Sequence, residues 1–158
     1  MNAINEAIGA FNKFRDDEGE VLAKEFEQRI GTIQSRLAAI AELDPQRANA
    51  IREKLNKFLE ENIPAGNVDK NRFEQELIYY LEKLDITEEK LRLQTHCNYF
   101  LTTMHEPSSG RKLGFITQEI GREINTIGSK ANDAEIQKMV VEMKDELEKI
   151  KEQLLNIL

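Results

Sequence analysis

Apolar side chains recur at intervals of three and four along almost the whole chain, and the two-residue apolar–polar rhythm of a half-buried strand is almost absent. Leu22, Phe26, Ile30, Ile33, Leu37 and Ile40 form one such ladder. Leu113, Ile116, Ile120, Ile124 and Ile127 form a second, and Ile136, Val140, Met143, Leu147, Ile150, Leu154 and Ile157 a third. Each ladder places its members on one face of a helix, so the chain must bury several long helical stripes against one another. The expected fold is all-α: an elongated antiparallel bundle of about five helices, with long first, third and fifth members. Three prolines and eight glycines in 158 residues leave little else to punctuate such helices.

The expected boundaries follow local signals. A first helix carries Ile4, Ile8 and Phe11 and continues along the Leu22–Ile40 ladder, with a bend near Gly19. Asp44 before Pro45 reads as an N-cap with proline at the first helical position, opening a second helix through Ile51, Leu55 and Phe58. IPAGN, residues 63–67, reads as a loop, and Asp69 as the cap of a third helix running to about Met104. That helix carries Phe73, Leu77, Tyr80, Leu84, Leu91, Leu93, Cys97, Phe100 and Met104 on its inner face, and its pattern stumbles at DITEE. After EPSSG comes the fourth helix, with Gly128 as its C-terminal cap. Asn132 and Glu135 form a capping box for the fifth, whose apolar seam serves as internal core or as a dimer contact. The division this suggests is residues 1–62, holding the first two helices, and 68–158, a C-terminal helical region.

Composition narrows function. A net charge of −7 opposes nucleic-acid binding by counterion release unless a carboxylate-held cation or a further segment supplies positive charge. No run approaches a membrane span of roughly 20 apolar residues, and the N-terminus lacks the order of a secretion signal. The expectation is a cytoplasmic protein without membrane contact. The single cysteine, Cys97, reads as a buried small hydrophobe. Glycine-rich phosphate loops, the Glu-x-x-His pairs of di-iron bundles and the His-Glu-x-x-His zinc motif are all missing from the sequence.

Two faces carry chemistry. On the fourth helix, Lys112, Glu119, Glu123, Thr126 and Lys130 flank the buried stripe, while Arg111, Gln118, Arg122, Asn125 and Ser129 lie on the face away from it. Glu119 and Glu123, one turn apart, are either like charges relieved by Lys112 and Lys130 or a carboxylate pair for Mg or Mn. On the third helix, Asp85, Glu89, Arg92 and His96 share a line. They form either an ion-paired face with an ordinary histidine or a wall on which His96 acts as general acid or base.

DITEEKLRL with THCNYF, then GRKLGFITQEIGREINTIGSKANDAEI, then VVEMKDELEKIKEQLLNIL resemble the C-terminal half of the YicC/YloC family of bacterial endoribonucleases. Upstream, RDDEGEVLAKEFEQRI resembles a helix that family members carry before that part. The resemblance spans the chain from about Ala7. Gly114 departs from it, standing where many relatives carry aspartate. The resemblance implies divalent-metal-dependent cleavage of single-stranded RNA by a homo-oligomer, with Mg or Mn as cofactor. It also implies a further N-terminal domain, mixed in secondary structure, that this chain does not contain. Carried onto this sequence, it implies Glu119 and Glu123 as metal ligands and, with His96, as catalytic groups. Arg92, Arg111, Gln118, Arg122, Asn125 and Lys130 would contact RNA. The alternative is a non-catalytic oligomerisation or partner-docking module of an RNA-decay protein.

Overall fold

The computed structural model describes residues 2–62 and 69–157, in which α1 spans Asn2–Asn62, α2 Lys70–Leu84, α3 Thr87–Thr103, α4 Gly110–Lys130 and α5 Ala134–Ile157. The fold class is the one the periodicity predicts, and the described residues contain no strand. Two helix boundaries differ from expectation. The IPAGN loop falls outside the described residues.

The first difference is at Pro45, which lies inside α1 rather than at the start of a new helix. Proline withholds one backbone donor and crowds the preceding turn, so a helix interior ordinarily excludes it at a cost of about 3 kcal/mol. Here the turn is tied to other elements. Arg47 donates from Nε and Nη2 to Asp44 Oδ1 at 3.0 and 2.8 Å, and Lys90 on α3 donates to Asp44 Oδ2 at 2.6 Å. Arg47 Nη2 also donates to the Leu84 carbonyl that ends α2, at 2.5 Å, and Nη1 reaches the Lys130 carbonyl at the end of α4, at 3.5 Å. One guanidinium therefore satisfies helix-end carbonyls of two helices while a third helix carries it.

The second difference divides the expected third helix at Asp85. Its Oδ1 accepts from the Thr87 amide at 2.9 Å and the Thr87 hydroxyl at 2.6 Å. This local closure competes with helix continuation. It holds the Asp85 carboxyl below the usual aspartate range, with the Thr87 hydroxyl as the largest cause. Ile86 then turns wholly inward. Restarting there resets the register: Ile86, Leu93, Cys97 and Phe100 are buried, whereas Tyr80 and Leu91, expected inside, are exposed.

Helices α1, α3, α4 and α5 surround one core. Gln34 with Asn98 and Asp44 with Lys90 set α1 antiparallel to α3, and Arg29 with Glu146 together with Arg36 and Glu142 sets it antiparallel to α5. The turns after α3 and α4 reverse the chain, completing the ring. Phe26 meets Phe100 edge-on at 5.6 Å between ring centroids. At 61 residues, α1 is about 90 Å long, far longer than the partners that cover it. Its stripe is consequently buried only from Phe26 to Ile40, while Ile4, Ile8 and Phe11 are exposed. The C-terminal end of α2 meets α1 at Arg47, which reaches the Leu84 carbonyl; Leu77 is buried, and Asp69 caps α2 by accepting from the Asn71 and Arg72 amides at 3.0 and 3.2 Å.

Helices α4 and α5 approach closely. A Cβ placed on Gly128 would lie 3.0 Å from Val140 Cγ1, and one on Gly121 would lie 3.2 Å from Leu147 Cδ2. Gly128 is thus a packing residue inside α4, not its C-cap, a position that Ala131 holds. Asp133, rather than Asn132, caps α5, accepting from the Glu135 and Ile136 amides at 2.9 and 3.0 Å. The α5 seam is core within the chain, with Ile136, Val140, Met143, Leu147, Ile150 and Leu154 all buried. Cys97 is fully buried as expected, and burial pushes its thiol up to about 12.

The α1–α5 contact titrates. Lys149 first, and then Arg29, holds the Glu146 carboxyl below the usual glutamate range against the opposing effect of its burial. A depressed folded-state pKa adds stability that is complete above the ordinary glutamate range and is lost as pH falls through the folded value. The melting temperature should therefore drop on acidification below about pH 4.5, the ordinary glutamate value, and Glu146→Gln should drop less over that interval. Thermal melts from pH 7 to 3 test this, and equal slopes for both proteins would refute it.

Candidate nucleic-acid interface and carboxylate seam

The outer face of α4 emerges as the wheel requires: Arg111, Gln118, Arg122, Asn125 and Ser129 are exposed. Cations outnumber acids on α4, where Arg111, Lys112, Arg122 and Lys130 stand against Glu119 and Glu123 in an otherwise acidic chain. Two exposed rings sit beside these cations. The Arg111 guanidinium lies 5.9 Å from the centroid of Phe115, and Lys112 Nζ lies 5.0 Å from that of Tyr99 on α3. Lys112 also donates to both Glu106 oxygens, at 3.1 and 2.8 Å, which raises its pKa, with Tyr99 as the next cause.

The two glutamates of α4 diverge in environment. Glu119 is part-exposed and accepts from Arg122 Nη1 at 2.7 Å. Glu123 is buried at the α3 contact, its Oε1 3.2 Å from Arg92 Nε. The charge relief thus comes from two arginines. Lys112 and Lys130, expected to provide it, face Glu106 and Glu89 instead.

Arg92 is shared among three acids, lying 3.0 Å from Glu88 and 3.8 Å from Glu89 as well as against Glu123. It remains half-exposed. The expected wall of Arg92 and His96 is therefore an ion-paired arginine with a half-buried histidine one turn further along α3. Asp85 leaves that line to serve Thr87.

Sequence reasoning set Glu89 on a charged line with Asp85, Arg92 and His96 but did not foresee that it is the most buried acid at this contact. Glu89 is 3% exposed; Lys130 Nζ donates to its Oε1 at 2.7 Å, whereas its Oε2 is buried with no hydrogen-bond partner. The signal lay in register, because Glu89 falls three residues after Ile86 and four before Leu93, an acid at a core position of the ladder. Reading α2 and α3 as one helix hid that burial. Asp44 was read only as a helix cap, and its ties to Arg47 and Lys90 were missed because Lys90 joins the pair from another helix.

Among the described residues no three His, Cys, Asp or Glu side chains gather into a group able to hold a metal by themselves. Magnesium-type ions commonly take one or two protein carboxylates and complete their shell with waters and substrate phosphate. The donors present fit that open kind of site: Glu119 is accessible, and Glu123 is a second carboxylate on the same helix, currently neutralised by Arg92.

The described residues form an all-α bundle whose α4 carries a basic, partly aromatic face beside two buried carboxylates at the α3–α4 contact. No helix among the described residues is long and apolar enough to cross a membrane. The chain belongs to the family described as endoribonuclease YicC-like, C-terminal, whose model matches residues 40–158. A relative from Clostridioides difficile, described as a probable endoribonuclease YicC, is 38% identical over 157 residues, covering 98% of this chain and 54% of that protein. Another of the same description, from Haemophilus influenzae, is 32% identical over 158 residues, covering 99% of this chain and 54% of its own length. The chain spans about half the length of the curated relatives it matches.

Proposed function

We propose that this chain is the C-terminal helical region of a divalent-metal-dependent endoribonuclease that cuts single-stranded RNA. It would work in the cytoplasm as part of a longer polypeptide and as a homo-oligomer. The observation that carries this reading is the α4 face, where exposed Arg111 and Arg122 accompany Gln118 and Asn125 on the one helix of this acidic chain whose cations outnumber its acids. Family membership supports the RNA-cleaving class.

In this reading Arg111 and Arg122 neutralise phosphates, and Phe115 and Tyr99 offer rings on which unpaired bases stack without sequence preference. Gln118 and Asn125 position the strand through hydrogen bonds, and Lys130 adds charge at the end of α4. Glu119 and Glu123 would hold Mg or Mn. Such an ion, when bound, supplies an activated water and charge neutralisation at phosphorus. His96 takes or returns the proton at the reacting oxygen, and Arg92 sets the position of Glu123 through the contact already described.

Incubation of labelled single-stranded RNA with this chain and with the full-length protein, in Mn, in Mg and in chelator, tests the reading. Glu119→Gln with Glu123→Gln should lower metal-dependent cleavage by about 100-fold, roughly 2.7 kcal/mol of barrier, with helicity unchanged by circular dichroism. Unaltered cleavage would refute the site. Arg111→Ala and Arg122→Ala should weaken RNA binding and flatten its salt dependence by about 0.7 in log–log slope per cation removed.

The docking-module alternative draws on Ile4, Ile8, Val21, Ile78 and Tyr80, exposed apolar side chains on the parts of α1 and α2 outside the four-helix core. It predicts oligomeric mass for this chain in light scattering and no metal-dependent RNA cleavage by this chain alone, cleavage appearing only in the full-length protein.

A further inference from the structure

We infer that Glu89 is a positioning residue for the RNA face: from inside the α3–α4 contact it holds Arg92 of α3 and Lys130 of α4 together as one two-cation subsite for a phosphodiester. The inference rests on the proposal that this face binds RNA and deepens it, giving a role to an acid too buried to touch the strand itself.

Burial separates the acid from the cations it gathers. Glu89 is 3% exposed, whereas the side chains of Arg92 and Lys130 keep 47% and 34% of their surface. Both cations approach the same oxygen: Lys130 Nζ donates to Glu89 Oε1 at 2.7 Å, and Arg92 Nη2 stands 3.8 Å from it. The other oxygen, Oε2, is shielded and has no hydrogen-bond partner among the described residues. An acid placed only to stabilise the fold would be expected to satisfy both oxygens, because a buried one without a partner costs free energy. Here the carboxylate is turned toward two partly exposed cations instead.

Each cation keeps a donor for a ligand. Lys130 Nζ carries three protons, and its acceptors among the described residues are Glu89 Oε1 and the Asp85 carbonyl, the latter at 3.2 Å. Arg92 commits Nη1 to Glu88 at 3.0 Å and Nε to Glu123 at 3.2 Å, while its Nη2 lies beyond hydrogen-bond distance of Glu89. The third ammonium proton and the Nη2 amine are the groups left for phosphate oxygens, one from each helix. Long side chains lose rotamer freedom when they are fixed on binding, and cations already held in place lose less of it. Charge alone argues in the opposite direction: a carboxylate this near repels phosphate, so an acid without a positioning role would only weaken RNA binding.

The test is equilibrium binding of a labelled single-stranded oligoribonucleotide to the whole chain across a salt series, in chelator, which leaves the cations of the face as the contacts and keeps cleavage out of the readout. Glu89→Gln preserves the shape and removes a negative charge. Positioning predicts about tenfold weaker binding and a log–log salt slope flatter by about 0.7 for each cation withdrawn. Tighter binding, or wild-type affinity with an unchanged slope, would overturn the inference. Glu88→Gln removes an exposed acid from the same arginine and should bind as tightly as wild type or more tightly; a loss equal to that of Glu89→Gln would also overturn it. Should Glu89→Gln lose the helical circular dichroism of the wild type, Arg92→Ala and Lys130→Ala decide instead. A subsite built on one acid predicts that the double variant loses less than the sum of the single losses, and additive losses would count against it. A wild-type chain that binds no RNA would remove the proposed face and this inference with it, whereas wild-type binding that ignores Glu89→Gln removes the positioning role alone.

Discussion

Leu147→Asp should abolish cooperative folding of the bundle. Leu147 is 2% exposed at the α4–α5 contact, with its Cδ2 against the space above Gly121. Removing a leucine side chain from such a core costs about 2–5 kcal/mol, and an unpaired buried carboxylate adds several more or must take up a proton. The sum is comparable to the whole stability of a domain this size, about 5–15 kcal/mol. Urea unfolding followed by circular dichroism should show no native baseline, whereas Val141→Asp, at an exposed position on the same helix, should stay within about 0.5 kcal/mol of wild type. A well-folded Leu147→Asp protein of lower mass would mean that the α5 seam is a contact between subunits instead of core within one.

Arg47→Ala should cost about 3 kcal/mol and loosen α2 before the rest of the chain. The Arg47 side chain is 8% exposed and serves Asp44, the Leu84 carbonyl and the Lys130 carbonyl. Deleting one member of a buried ion pair typically costs about 3–5 kcal/mol because the other is stranded. Lys90 still neutralises Asp44 here, which places the effect at the lower end. Arg47→Lys keeps the charge but not the fork, and should fall between wild type and alanine. Hydrogen exchange reads the distribution: amides of Lys70–Leu84 should lose protection first, and a uniform loss across all helices would contradict a local clamp.

Much of the fold was legible because helix periodicity is a local property. The ladder of α4, and that of α5 as far as Leu154, emerged at the expected residues, the side chain of Ile157 lying outside the described ones, and the sorting of Arg111, Gln118 and Arg122 to the open face followed from the angle per residue alone. Boundaries were less legible. Asp44-Pro45 satisfies the local rules for starting a helix, and only the ties from this turn to neighbouring elements, Arg47 to the carbonyls of Leu84 and Lys130 and Asp44 to Lys90, make it an interior turn. At Asp85 the closure on Thr87 is local and was readable, yet the apolar residues on both sides suggested continuity.

The candidate site divides in the same way. Which helix carries each acid and base, and which face it occupies, follows from covalent order and helix pitch, so the sequence by itself determined an all-helical chain with its basic face on α4. The partners of those groups depended on packing. Glu123 meets Arg92, 31 positions earlier, and Glu89 meets Lys130, 41 positions later, because α3 and α4 run antiparallel in contact. Burial then turns a run of exposed-looking charges into a desolvated seam, and neither the register of two helices nor the water they exclude is encoded in the spacing along either one.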